Sequence, residues 1–196
     1  MVTMMSQARI EFSSQVHSKY VAAQWNAEGH RQGKNNEKKI DGLFIMHVLR
    51  VIDLFINQRK YDALTNALAI KTDSRIDNVI QRTKSALAEN LTKCKQISEE
   101  LGSVELSVHD TELIKIELPA NKQKGITKNM LSFYQLFNDA DLIAQEIYKC
   151  HKSGLLTGKE FRQLQFEKLK PLRVALREIS ILSKTFHQVR KAQASA

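Results

Sequence analysis

The chain has 196 residues, of which 42% are hydrophobic, and its 30 Lys and Arg outnumber 21 Asp and Glu to give a net charge of +9. This size fits one folded domain, and only 2 Pro and 7 Gly argue against a protein built from many short strands. No apolar run is long enough for a membrane span, and the N-terminus lacks the pattern of a signal peptide. We therefore expect a cytoplasmic protein without a membrane partner. The positive charge favours a polyanion such as nucleic acid, although acidic proteins also fit.

The first predicted element is an extended segment over residues 8–14. Apolar and polar residues alternate there, so Ile10 and Phe12 share one face of a strand. The opposite, polar face consists of Arg9, Glu11 and Ser13. From residue 15 to residue 25 the apolar residues return at helical spacing, which predicts a short helix.

A polar and basic loop is predicted next, over residues 26–39. Its cations are Arg31, Lys34, Lys38 and Lys39. Glycines and asparagines between them are typical of irregular structure. Most basic loops are only solvated, and the alternative for this one is contact with phosphate groups.

Two long helical segments follow the loop. Asp41 is a suitable N-cap for a helix over residues 41–58, which is apolar almost all round. Such a helix belongs at the centre of a core or across a dimer interface. Residues 61–101 also carry helical spacing, with a predicted interruption at 71–73 and a new start capped by Asp73 or Ser74.

The hydrophobic period then changes. Residues 103–109 and 112–118 alternate between apolar and polar, which predicts two strands, most simply an internal hairpin. A helix is predicted from residue 127 to residue 153. The overall expectation is a mostly α protein with a few short β-strands (α+β).

The last part of the chain is predicted to be helical and basic. Thr157 and Glu160 form the pattern of a capping box, and Pro171 should kink or divide the helix that follows. Cations dominate residues 173–191, whose one acid is Glu178. Residues 192–196 are expected to fray. Because no linker is recognisable, residues 1–196 are expected to form a single domain.

The sequence lacks the motifs of catalysis and metal binding. There is no Gly-rich phosphate loop, HExxH, GxSxG or CxxC motif. Cys94 and Cys150 are expected to be reduced thiols in or beside the core. Asp139 and Asp141 could hold a hard cation, but no further oxygen ligand follows at loop spacing. We therefore expect no enzyme, no cofactor, no metal and no small-molecule substrate.

Several short motifs nevertheless carry a family resemblance. The chain resembles the AcaB-like transcriptional regulators of conjugative plasmids and integrating conjugative elements. The residues that carry the resemblance are 104–106, 114–118, 131–137, 139, 141–142 and 151–156. Weaker similarity extends to 10–12, 40–55 and 61–63. The motifs span most of the chain, but each is short and mainly apolar.

The resemblance implies a ribbon-helix-helix-like homodimer with additional helices that binds double-stranded DNA and activates conjugative transfer genes. In such a dimer each chain donates one strand to a ribbon that enters the major groove. We assign base readout to residues 8–14, since Arg can bond guanine through two donors, Glu can accept from cytosine and Ser can reach either base. The alternative ribbon is the 112–118 strand, with Lys115 and Glu117 on one face. The loop cations at 31, 34, 38 and 39 would then contact phosphate.

Two other functions remain open from the sequence. A helical component of a conjugation apparatus could present the basic surface to an acidic protein partner. Sequence-independent binding of nucleic acid, including RNA, is the third reading.

Overall fold

The computed structural model describes residues 13–27, 40–58, 61–100, 113–117 and 126–194. Over these ranges the chain forms six helices and one two-stranded antiparallel sheet, which confirms the predicted mostly helical α+β architecture. The strands are β1 (Ser13–Val16) and β2 (Ile114–Glu117). The helices are α1 (Lys19–Trp25), α2 (Gly42–Asn57), α3 (Ala63–Glu100), α4 (Lys128–Lys152), α5 (Gly158–Lys168) and α6 (Lys170–Ala194).

The frame of the fold is the packing of α4 and α6 against α3. In the first third of α3, the side-chain amide of Asn129 on α4 donates to Asp73 Oδ1 at 2.9 Å. Further along both helices, burial raises the pKa of Cys94 to about 11, and the neighbouring Cys150 thiol of α4 adds to the increase. Both contacts advance together along the chain, so α3 and α4 run parallel. Helix α6 is antiparallel to α3. Asn90 of α3 donates to the Lys168 carbonyl just before α6, whereas Arg82, earlier in α3, pairs with Glu178, later in the chain.

Large apolar side chains from all the long helices and from β2 fill the space between them. The largest that are fully buried are Phe133, Phe137, Phe186, Ile45, Met46, Leu49, Ile52, Ile76, Ile80, Leu87 and Ile116. Burying each of them contributes about 1.5–3 kcal/mol relative to exposure. Helix α2 contacts the core through one face, because Phe44 and Leu54 on its other side are 41% and 37% exposed. Burial on all sides in the core of one chain was therefore a wrong prediction, and the alternative, a dimer interface, stays a prediction.

Helix α3 is continuous through residues 71–73, so the predicted interruption and the cap at Asp73 or Ser74 were wrong. The helix starts after Asp62, whose carboxylate accepts hydrogen bonds from the Thr65 amide and hydroxyl, both at 2.7 Å. At the supposed break, the Thr72 hydroxyl donates to the Leu68 carbonyl at 2.8 Å. The polar residues there are satisfied inside the helix or by α4.

The predicted starts of α2, α4 and α5 are confirmed. Asp41 and Thr127 cap α2 and α4, and Thr157 and Glu160 form the reciprocal capping box of α5. Pro171 lies in the first turn of α6, where its missing amide donor is not needed, and it divides α5 from α6. Helix α6 continues to Ala194, through the first residues of the segment that the sequence predicts to fray, and residues 195 and 196 lie outside the described part.

Candidate nucleic-acid interface

Ser13 and Ser14, which end the first of the two segments offered as alternative ribbons, pair with the second segment, and residues 8–12 lie outside the described part of the chain. Strands β1 and β2 form one antiparallel ribbon within a single chain. The paired residues are Ser13 with Glu117, Ser14 with Ile116, Gln15 with Lys115 and Val16 with Ile114. The resemblance had implied one strand from each of two chains, so this ribbon differs in having both strands from one protomer.

The outer face of the ribbon is polar. It consists of the exposed residues Ser13, Gln15, Lys115 and Glu117. The inner face turns Val16 and Ile116 into the core, where each is almost fully buried. Lys115 and Glu117 form an ion pair at 2.7 Å, but both side chains are more than half exposed, so the pair contributes about 0–1 kcal/mol and can open. All four side-chain types can hydrogen-bond base edges in a major groove.

Gln15 is a candidate contact that the sequence prediction missed. We assigned it to the start of a helix, whereas it lies in β1, and α1 begins only at Lys19. A signal was present, because Val16 lies an even number of residues from Ile10 and Phe12 and so falls on their face of an extended segment, although Ser14 between them is polar. The prediction placed the helix start too early.

Three of the residues that the sequence predicts to contact DNA belong to the described part of the chain. Ser13 and the pair Lys115 and Glu117 lie on the ribbon as described. The remaining predicted contacts, which lie outside the described residues, are Arg9, Glu11, Arg31, Lys34, Lys38 and Lys39. The predicted hairpin partner of β2, residues 103–109, also lies outside them.

Two aromatic side chains hold the backbone of β2. The Trp25 indole donates to the Glu117 carbonyl at 3.2 Å, and the Tyr134 hydroxyl donates to the Ile116 carbonyl at 3.2 Å. Burial raises the pKa of Tyr134, so its hydroxyl keeps the proton that it donates. The Trp25 ring meets the Tyr134 ring edge-on, with centroids 5.3 Å apart. These contacts fix β2 against α1 and α4.

Asp141 of α4 anchors the end of β1. Its buried carboxylate accepts hydrogen bonds from the backbone amides of His17 at 3.0 Å and Ser18 at 2.8 Å. Gln145 Nε2 lies 2.9 Å from Oδ2, and His17 Nδ1 lies 3.0 Å from the same oxygen. Gln145 Nε2 also lies 2.8 Å from His17 Nδ1, so the imidazole, the amide and the carboxylate form one polar cluster. Asp141 is therefore occupied by the turn between β1 and α1.

The ends of the segment that contains the four predicted phosphate contacts are held together. The amide of Ala27, just after α1, donates to Asp41 Oδ2 at 3.1 Å, and the other oxygen of Asp41 caps α2 by accepting from the Phe44 amide at 2.8 Å. Gly42 brings α2 close to α1, since a Cβ there would lie 2.6 Å from the Trp25 ring. The end of α1 and the start of α2 therefore lie next to each other.

A second surface feature is apolar. Phe44, Val51 and Leu54 follow the outward side of α2 in steps of seven and three residues, and the exposed Ile40 precedes its N-cap. A groove of about 380 Å³ separates this side from α6, and it is lined by Phe44, His47, Val48, Val51, Ser183, Lys184, His187 and Gln188. Burial lowers the pKa of His187, and the charges of Arg190 and Lys191 lower it further.

Comparison with protein-family models, with curated proteins and with solved structures gave no match. Among the described residues, no three His, Cys, Asp or Glu side chains come together as a metal site. Over the same part of the chain, no helix has the length and apolar character needed to span a bilayer.

Proposed function

We propose that the protein is a sequence-specific DNA-binding transcriptional regulator that reads base edges with the outer face of the β1/β2 ribbon. The observation that carries the proposal is the alternation of the ribbon, which exposes four hydrogen-bonding side chains and buries the apolar ones. A two-stranded ribbon fits the width of a major groove. The anchoring of both strands by α1 and α4 supports it, because base readout requires side chains on a rigid element.

The proposed assembly is a ribbon-helix-helix-like homodimer. Strand β1 is followed by α1 and α2, which is the order of elements in this fold class, whereas the ribbon differs from the class in having both strands from one protomer. Each protomer would contribute a complete ribbon, and the exposed apolar side of α2 would join the two copies. Activation of conjugative transfer genes is proposed from the sequence resemblance alone.

The test of base readout starts by selecting duplexes from a random pool with the full chain, because the target sequence is unknown. Wild-type protein should then prefer the selected duplex over its scrambled counterpart. Replacing Gln15 and Lys115 with Ala should reduce that preference by about 1–3 kcal/mol for each base that the native side chains hydrogen-bond. Gln163 and Lys159 on α5 have the same side chains and are exposed, so their replacement with Ala is the matched control.

The test of the dimer is the mass in solution. Phe44→Glu with Leu54→Glu should convert a dimer into a monomer, because a buried unpaired charge opposes association. Leu131→Glu with Leu142→Glu is the control, since both leucines are about half exposed on α4. A monomeric wild-type protein would refute the proposed assembly.

A second candidate function is that of a helical protein-interaction component. The exposed apolar side of α2 and its groove favour it, since contiguous apolar surface commonly marks a protein interface. This function predicts that selection enriches no duplex. An enriched duplex whose preference depends on Gln15 or Lys115 would exclude it.

A further inference from the structure

Helix α6 exposes a positive charge at every seventh position. These residues, which we call the α6 stripe, are Lys170, Arg177, Lys184 and Lys191, and all four are exposed. Seven residues are nearly two helical turns, so the four side chains share one face and follow one another at intervals of about 10.5 Å. Lys170, Arg177 and Lys184 form no ion pair within the described ranges.

The α6 stripe differs from the other exposed helix surfaces in carrying a single sign of charge. The one acid of α6 is Glu178, and Arg82 of α3 already pairs with it. On α3, by contrast, Lys93 pairs with Glu89 at 2.6 Å, and on α5 cations alternate with Glu160 and Glu167. A solvated helix needs no such segregation, since mixed charges keep a surface soluble.

The ribbon lacks the positive charge that a nucleic-acid surface requires. Its described outer face carries Lys115 and Glu117, whose charges cancel. Affinity for DNA comes largely from cations that displace counterions from phosphates, so this attraction must come from elsewhere on the protein. Helix α6 contacts α1, the helix that follows β1, because Arg173 of α6 donates to the hydroxyl of Tyr20.

We propose that the α6 stripe binds the phosphate backbone of duplex DNA. This proposal rests on the proposed DNA-binding function and names the surface that supplies its sequence-independent affinity. The interval along α6 is close to the rise of three base pairs, about 10 Å. A straight helix follows a coiled strand over only part of a turn, so about two of the cations contact phosphate in one complex.

The test compares two variants of the full chain that each lose three positive charges. The stripe variant is Lys170→Gln, Arg177→Gln and Lys184→Gln. The control variant is Lys71→Gln, Lys84→Gln and Arg162→Gln, three exposed cations on α3 and α5. Fluorescence anisotropy measures binding to the selected duplex and to its scrambled counterpart. The salt concentration is varied from about 50 to about 200 mM, because affinity that depends on phosphate contacts falls steeply over this range.

The stripe variant should bind both duplexes at least tenfold more weakly than the control variant at about 0.1 M salt, since each phosphate contact contributes roughly eightfold there. Its dependence of log K on log salt should be less steep by about two, with the preference between duplexes unchanged. Equal weakening in both variants would overturn the proposal, because net charge would then explain it. Restoring the charges as Lys170→Arg, Arg177→Lys and Lys184→Arg should restore binding, and failure to do so would also overturn it.

The outcomes separate this proposal from base readout by the ribbon. A wild-type protein without preference between duplexes, together with a weakened stripe variant, would refute ribbon readout and support the α6 stripe. A stripe variant that keeps its duplex affinity but no longer binds polyglutamate would overturn the proposal in favour of an acidic protein partner. The same loss seen only with single-stranded RNA would overturn it in favour of RNA.

Discussion

Removing the carboxylate of Asp141 should both destabilise the fold and loosen the ribbon. In Asp141→Ala the backbone amides of His17 and Ser18 lose their acceptor, and the His17 ring and Gln145 lose theirs. The turn between β1 and α1 is then no longer held to α4. The effect reaches the ribbon because His17 directly follows β1.

The size of the effect follows from the two backbone donors. Each unsatisfied buried donor costs about 1–3 kcal/mol, so Asp141→Ala should lower the free energy of unfolding by about 2–6 kcal/mol. Asp141→Asn should cost roughly half as much, because the amide keeps one oxygen for the His17 and Ser18 amides. The His17 ring can change tautomer and the Gln145 amide can turn over to meet the new NH₂ group.

Urea unfolding followed by fluorescence measures both variants. Trp25 is the only tryptophan of the chain, it is 2% exposed, and it contacts β2 directly. With a slope of about 2–3 kcal/mol per molar urea, the midpoint for Asp141→Ala should fall by about 1–2 M. The control is Asp139→Ala on the same helix, and it should change stability by less than about 0.5 kcal/mol. Within the described ranges, the Asp139 carboxylate accepts a hydrogen bond only from Gln135, at 3.2 Å. Equal costs for Asp141→Ala and Asp139→Ala would refute the anchoring role.

Three further predictions follow from packing and titration. Gly42→Ala should destabilise the fold by about 1–3 kcal/mol in thermal unfolding, because the new Cβ would meet two aromatic rings. Gly158→Ala is the control and should not destabilise it, because a Cβ at residue 158 meets nothing within 4 Å. The pKa of His187 is lowered in the folded protein, so the unfolded chain takes up the proton first as the pH falls. The free energy of unfolding should therefore decrease as the pH drops below about 6.5. Urea titrations at several pH values should show a weaker pH dependence for His187→Gln. Burial raises the pKa of Cys94 and of Cys150, so neither thiol should react with iodoacetamide at pH 8 until urea unfolds the chain. Reaction of either thiol in the native protein would contradict their placement in the core.

Local chemistry made most helix boundaries predictable. Asp41, Thr127 and Thr157 each accept a hydrogen bond from an amide three residues further on, and this interaction lies within one turn of sequence. The division at Pro171 has the same local origin. Such features depend on residue types that are neighbours in the chain, so periodicity and capping rules reach them.

Features that depend on distant partners were not predictable in this way. Residues 71–73 resembled a break because Asp73 favours caps, yet α4 supplies Asn129 to its side chain and the helix continues. The pairing of β1 with β2 was not predicted either, because residues 103–109 have the same alternation as residues 112–118 and are much closer to them in the chain. Local spacing identifies faces, whereas the choice between partners is made by the packing of the whole chain.

The separation of β1 and β2 along the chain has a consequence for synthesis. About 100 residues lie between them, and pairing over such a distance must wait until the intervening helices have ordered the chain. The side chains that hold the ribbon, on α4, are translated later still. On the proposed function, an unfinished polypeptide on the ribosome has no way to recognise an operator. Only chains whose synthesis has continued past Asp141 could then bind an operator.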